Sequence, residues 1–328
     1  MKEISIQEFE NIRIGQVEDA AAATGVTAFV CPDGMWAGLD VRGGGPASHE
    51  SELLAPLAHA KKIHAVVLSG GSAFGLEAAS GVMQALEEAD IGYPVGVCKV
   101  PLVVQSALFD LTVGASHIRP DKAMCYAAAR AALAGGNYRD GNFGAGCGAS
   151  VGKWGGMETA MKSGIGSYAL KVGRLKVGAV VAVNALGDIY DHRTGKKLAG
   201  LLNNEKTGFG DAQQMMMERI RAVDNKFTGN TTLGVVLTNA AFDQPRLSKI
   251  AGMAHDGYAR SIKPVHTSAD GDSIYACSLG DVKADMDIVG ALAADVMSMA
   301  IINAVRSAEA AYGLKCARDF EQTGGKDA

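Results

Sequence analysis

The chain has 328 residues, 48% of them apolar and 20% charged, with a formal net charge of −4. That balance describes a soluble globule able to bury a sizeable core, and it excludes a surface built to grip a polyanion, so no nucleic-acid partner is expected. Forty-two glycines exclude a helical bundle and call for many turns and close backbone approaches.

Residues 1–15 lack a basic start followed by an apolar run, so no signal peptide is expected and the predicted compartment is the cytoplasm. Residues 26–31 and 35–42 flank Pro32-Asp33-Gly34, which predicts a β-hairpin. Ser51 is expected to cap a helix running to Lys62. Residues 65–68 read as a strand leading through Gly70-Gly71-Ser72 into a helix over 74–89, and 93–100 read as a further strand. Pro120 starts an alanine-rich helix over 122–133. The glycine-dense stretch 135–156 implies backbone packed against backbone or ligand.

Short strands follow at 168–172, 177–183 and 188–191, with Gly-containing turns that suggest antiparallel pairing. Residues 211–224 have helical period, with Met215, Met216, Ile220 and Val223 as the apolar stripe. A Gly229-Asn230 loop then breaks into a strand that starts at Thr231-Thr232 and runs to Ala240. A helix over 247–262, a strand over 273–279 and a long helix over 285–312 complete the chain. The most apolar part of that helix, 288–305, contains Asp295 and Asn303 and reads as a core helix, so no membrane partner is expected. Strands bunched between helices predict an α/β (α+β) fold layered helix-sheet-sheet-helix.

Six cysteines show no C-x-x-C pair and no histidine at metal-ligand spacing, so neither a metal nor a cofactor is expected. His192, His255 and His266 read as single, unpaired histidines. Ser72 lacks the glycine spacing of a nucleophile elbow, because the last glycine falls at Gly75. The glycine run 144–149 is not preceded by a strand, as a dinucleotide-binding turn would be.

The Asn230-Thr231 junction carries different chemistry. A hydroxyl that opens a strand after a flexible residue can attack the preceding carbonyl and split its own backbone, leaving Thr231 as a chain start. A free α-amine titrates near pH 8, about two units below lysine, and can take the proton of its own residue's hydroxyl. One residue then supplies both nucleophile and base. Asp270 and Asp272 stand two apart, so on an extended segment both side chains face one way and suit one shared cation.

Six blocks in one order carry a family resemblance: 41–46 (VRGGGP), 68–76 (LSGGSAFGL), 144–153 (GAGCGASVGK), 183–185 (VNA), the Asn230-Thr231-Thr232 junction and Asp270-Gly271-Asp272. The chain resembles the self-cleaving aminopeptidases, which include L-aminopeptidase/D-esterases, β-aminopeptidases and nylon-oligomer hydrolases. The resemblance implies a four-layer αββα sandwich of the N-terminal-nucleophile type, related to the ornithine acetyltransferase fold. It implies cleavage between Asn230 and Thr231, dividing one domain of 328 residues into fragments 1–230 and 231–328.

By the same resemblance Thr231 forms an acyl-enzyme with a small peptide-like amide, and Asp270 and Asp272 orient its freed amine, Asp270 nearer the nucleophile. Lys153 places an ammonium beside the Thr231 hydroxyl, and the amide N–H of Asn184 donates to the oxyanion. Phe109 and Gln105, which follow a predicted strand, are expected to line the substrate pocket. Threonine with two aspartates is closer to the nylon-oligomer branch than to members with serine and glutamate. A homo-oligomer of four processed units is also implied. Acyl transfer to an amine, as in the ornithine acetyltransferases, and an unprocessed binding protein remain alternatives.

Overall fold

Along the central strands, side chains on both faces are apolar and buried, so each sheet must be covered twice. The computed structural model describes residues 1–218 and 229–321 and shows how this is done. Ten of its strands are β1 (Lys2–Ile4), β2 (Arg13–Asp19), β3 (Thr24–Val41), β4 (Ser48–His49), β5 (Ile63–Ser69), β6 (Val103–Ala107), β7 (Ile165–Val172), β8 (Leu175–Ala182), β9 (Leu233–Ala240) and β10 (Ser273–Val282). They are ordered β1-β7-β8-β9-β10-β3-β5-β6-β4, with β2 also paired to β3.

The long strand β3 belongs to two sheets. Residues 24–30 pair with β2, and 26–30 also pair with β5, whereas 36–41 pair with β10. The hairpin predicted around Pro32-Asp33-Gly34 is therefore a bend within one strand. Gly34 takes a left-handed φ of 70° and the register with β5 shifts between Val30 and Met35, so the turn residues produce a bulge where each half already has a partner.

Three apolar cores separate four layers. Val26, Ala28, Ala65 and Val67 face the helices α1 (Ala79–Glu88) and α2 (Lys122–Leu133). The alternate residues Phe29, Val66, Leu68 and Val104 share a core with Val180, Leu233, Val235 and Tyr275 of the other sheet. The outer face of that sheet, with Ala179, Val181, Val236 and Ile274, packs on helices α4 (Gln244–Ser261) and α5 (Met286–Ser307). The period-2 alternation of the strands thus specifies the expected αββα order. Tyr275 and Ser106 join hydroxyls at 2.7 Å in the inter-sheet core.

Several elements differ from expectation. Residues 51–62 form only the short turn Ser51–Leu54, because Pro56 stops helix propagation. Residues 93–100 make a small hairpin of Tyr93–Pro94 and Lys99–Val100, and the core strand is the following β6. The first part of the 74–89 helix is a 3₁₀ segment, Ser72–Ala78. Helix α2 has the expected bounds and is capped by Asp121, which accepts from the Met124 N–H at 2.8 Å. The helix expected over 211–224 is described as α3 (Ala212–Glu218), and Ile220 and Val223 lie outside the described residues. Helix α5 is long and apolar enough to cross a membrane, but 67% of its most apolar window is buried against the protein, as a core helix is.

Two glycines let the helices seat. A Cβ on Gly15 of β2 would lie 2.0 Å from the Ala128 carbonyl oxygen of α2, and one on Gly166 of β7 would lie 2.2 Å from the Ala304 nitrogen of α5. Gly166→Val is expected to lose at least about 1–3 kcal/mol in urea unfolding, the scale of overpacking. An unchanged midpoint would show that α5 is not held at this distance.

Candidate active site

Strands β9 and β10 run parallel, from Leu233 beside Ser273 to Thr238 beside Ser278, and the pairing extends back to a bridge between Asn230 and Asp270. Strand β8 is antiparallel to β9 and ends with Ala182 opposite Leu233. Two strand starts and one strand end therefore meet at a single sheet edge, which brings Thr231, Asp270, Asp272 and Asn184 together.

The Asn230-Thr231 peptide is gripped on every side. The Asn230 carbonyl oxygen accepts the Gly271 N–H at 2.9 Å and the Thr231 hydroxyl. The Thr231 N–H donates to the Asn184 carbonyl at 2.9 Å, and the Thr232 N–H donates to Asp272 Oδ1 at 2.8 Å. Position 271 requires glycine, since a Cβ there would lie 2.5 Å from Thr231 Oγ1.

The 41–46 block holds the acidic segment in place. The Arg42 and Gly43 N–H groups donate to the Asp272 carbonyl, the Gly44 N–H to that of Thr267, and the Gly45 N–H to that of Asp270 at 2.8 Å. A Cβ on Gly43 would lie 2.3 Å from the Asp272 nitrogen. Asp270 accepts the Thr267 N–H at 2.9 Å and the Thr267 hydroxyl at 2.6 Å. Burial pushes its carboxyl up and nearby Asp272 adds to that, while the Thr267 donors and the Leu186 N–H pull it back down.

Lys153 is delivered by the glycine block. Gly152 takes a left-handed φ of 72°, and the Gly152 and Lys153 N–H groups donate to the Gly187 and Leu186 carbonyls, both at 3.0 Å. The ammonium is buried and lies 2.6 Å from Asn184 Oδ1, 3.3 Å from the Asn184 carbonyl and 3.4 Å from the Gly229 carbonyl. Burial lowers its pKa to about 7, with the charges of Asp270 and Asp110 opposing the fall.

Asn184 is a hub. Its Nδ2 donates to the Phe109 carbonyl at 2.8 Å, and its Oδ1 also accepts the Ser150 N–H at 3.1 Å. Its side chain thus positions Lys153 and residue 109, and the amide N–H expected to face an oxyanion is taken by the Phe109 carbonyl. The Phe109 ring packs on the turn before the junction, where a Cβ on Gly229 would come within 2.7 Å of it. Gln105 does not join this group. Its amide donates to Ser69 Oγ and the Gly75 carbonyl, both at 2.7 Å, and accepts the Ala79 N–H, so it secures the start of α1 and its polar atoms are spent away from any substrate.

Three participants escaped the sequence reading. The Gly271 N–H is a backbone group with no signature of its own. Asp110, buried, accepts from Gly71 N–H and the Thr24 hydroxyl, and a Cβ on Gly70 would lie 1.9 Å from its carboxylate, which explains the glycine at position 70. His266, read as unpaired, places Nδ1 2.8 Å from Asp272 Oδ2, with His255 against its ring. A sequence signal was available for Asp110 alone, as the neighbour of Phe109. Among the described residues no histidine, cysteine and carboxylate cluster is arranged to hold a metal.

Comparison with known proteins gives the family. The profile of peptidase family S58 matches residues 5–318. The chain belongs to peptidase family S58. As an S58 peptidase it is a hydrolase of peptide or related amide bonds. It is 35% identical to an uncharacterized aminopeptidase of Mycobacterium leprae, over 94% of this chain and 92% of the relative. It is 30% identical to a 6-aminohexanoate-oligomer endohydrolase of Agromyces sp., over 90% of this chain and 84% of the relative.

Among solved structures, a Burkholderia sp. beta-aminopeptidase superposes on this S58 chain with a TM-score of 0.65 at 18% identity, covering 99% of this chain and 95% of that one. The L-aminopeptidase D-Ala-esterase/amidase of Ochrobactrum anthropi, described as a variant of the Ntn hydrolase fold, gives 0.63 at 16% identity over 93% and 86%. The fold of this S58 chain is accordingly of the Ntn hydrolase type.

Because burial disfavours the Lys153 ammonium, the folded chain binds this proton less readily than the unfolded chain, whose lysines titrate near about 10.4. The resulting loss of stability is full below pH 7 and vanishes above the unfolded value. The Lys153→Met variant should therefore gain on the parent as pH falls from about 10 to 7 in parallel urea titrations. A constant gap would mean that Lys153 titrates as an ordinary exposed lysine.

Proposed function

We propose that the chain processes itself between Asn230 and Thr231 and then hydrolyses small peptide-like amides through an acyl-enzyme on Thr231. The observation that carries this reading is the Thr231 hydroxyl lying on the Asn230 carbonyl oxygen, which also accepts the Gly271 N–H at 2.9 Å.

Processing begins when Thr231 Oγ1 attacks the Asn230 carbonyl carbon. The negative charge that develops on the carbonyl oxygen already faces the Gly271 N–H, a donor of the kind worth about 3 kcal/mol at an oxyanion. An ester forms at Oγ1, the peptide C–N bond breaks, and the nitrogen takes up the hydroxyl proton. Water then cleaves the ester, giving an Asn230 carboxylate and a free Thr231 α-amine. Lys153, set against Gly229 and Asn184, supplies positive charge beside the reacting junction.

In the processed enzyme the α-amine keeps the Asn184 carbonyl as its nearest acceptor, with Asp270 and Asp272 on the neighbouring segment. It removes the Thr231 hydroxyl proton as Oγ1 attacks a substrate carbonyl and returns it to the leaving amine, and water clears the acyl group. The names of the relatives, aminopeptidase and 6-aminohexanoate-oligomer endohydrolase, support small peptide-like amides, those of ω-amino acids among them, as the substrate class. The same reading carries a homo-oligomer of processed units.

Mass spectrometry of purified protein is expected to find fragments 1–230 and 231–328, whereas Thr231→Ala should give one full-length species. p-Nitroanilide hydrolysis by that variant should fall at least about 10³-fold, the scale set by loss of a nucleophile. A Thr231→Ala enzyme turning over at the parent rate would remove Thr231 from the chemistry. Gly271→Ala, whose methyl would push the hydroxyl aside, should slow the appearance of fragments at least about tenfold with the circular-dichroism spectrum unchanged.

A further inference from the structure

His266 is coupled to the nucleophile through a short chain of hydrogen bonds. Both its backbone N–H, at 3.2 Å, and its ring Nδ1, at 2.8 Å, meet Asp272 Oδ2. The other oxygen of that carboxylate accepts the Thr232 N–H at 2.8 Å. Thr232 is the residue directly after the nucleophile. Two donors from one residue therefore fix one carboxylate oxygen, and this aims the other at the peptide that joins Thr231 to the rest of β9.

The orientation of the ring follows from its surroundings. Nδ1 faces a carboxylate oxygen, which can only accept, so Nδ1 carries a proton. Nε2 is sealed from solvent and has no hydrogen-bond partner among the described residues. The hydrogen bond at Nδ1 is therefore the one that sets how the ring is used. The ring is kept in this orientation by stacking on Tyr258, with centroids 5.9 Å apart, and by the edge of His255 at 4.7 Å. His255 directs Nε2 to the Asp40 carbonyl at 3.1 Å, and burial lowers its pKa to about 4, so it adds no charge near neutrality.

We infer that His266 is a positioning residue for the reaction at Thr231: its Nδ1–H holds Asp272 in the one rotamer that fixes the Thr231-Thr232 peptide, and so aims the hydroxyl and amine of Thr231. This inference rests on Thr231 being the nucleophile. Once the Asn230-Thr231 bond is cut, the first residue is tethered on one side only, and the orientation of that peptide decides where its hydroxyl points. A side chain that touches neither substrate nor nucleophile thereby acts on turnover and leaves substrate affinity alone.

The test compares His266→Asn with His266→Gln on the full chain, with rates normalised to the processed fraction found by mass spectrometry. The asparagine amide replaces the Nδ1–H donor, whereas the longer glutamine amide reaches the Nε2 position. His266→Asn should keep kcat within about fivefold of the parent. His266→Gln should lose about 10–100-fold in kcat with KM within about twofold, the scale of a small misplacement of reacting groups. In an Asp272→Asn background, His266→Gln should add less than about twofold.

Equal kcat in the Asn and Gln variants, or full additivity with Asp272→Asn, overturns the inference. Thr231→Ala is run alongside. If it is inactive while both His266 variants match the parent, only the positioning role falls; if it stays active, the nucleophile reading falls and takes this inference with it.

Discussion

The site depends on one pairing, the parallel register of β9 with β10. Parallel neighbours begin at the same edge of a sheet, so the residues that precede them, Asn230-Thr231 and Asp270-Gly271-Asp272, lie side by side. Antiparallel β8 ends at that edge too and adds Asn184. Had β9 and β10 been joined as a hairpin, the carboxylates would lie a full strand length from the threonine. Helix α4, packed on the sheet between them in sequence, is the crossover that makes the parallel arrangement possible.

Glycine and buried charge serve this edge together. Gly43, Gly152 and Gly271 stand where a methyl group would collide with backbone or with the Thr231 hydroxyl, so three loops approach more closely than ordinary residues allow. Close approach excludes water. In the dry interior Lys153 and Asp270 are each driven toward neutrality, and the charge of Asp270 opposes the shift of Lys153. Such a pair is costly to bury and responds strongly to any change in local charge, which is common where catalysis occurs.

Much of this was legible in the sequence, and the failures have physical causes. Helix α2 was readable to its ends because Pro120 and a run of alanines are local signals. Strand β8 followed from a short apolar run bounded by Gly-containing turns, and the αββα layering from the clustering of strands between helices. Strand β3 was misread because Pro32-Asp33-Gly34 is a reversal signal by itself, and only the separate partners of its two halves, β5 and β10, keep the chain running forward.

At the site, Thr231, Lys153, Asn184, Asp270 and Asp272 could each be singled out, and the structure brings them together. Their hydrogen-bond partners were hidden, since the Gly271 N–H leaves no trace in composition. His266 looked solitary because its link to Asp272 needs a left-handed residue at 266, with φ of 56°, to fold a short loop back on itself. Gln105 was misjudged because position after a strand says nothing about whether an amide is already occupied by a helix start.

The place of β9 within its sheet has a mechanical consequence. It is laced to β8 on one side and β10 on the other, and β10 is itself stitched to β3. A backbone nick just ahead of β9 would leave the downstream piece woven between strands of the upstream piece, so neither could depart without unravelling both ladders. Covalent continuity at that point contributes almost nothing to cohesion, and the molecule can give up a peptide bond there while remaining one body.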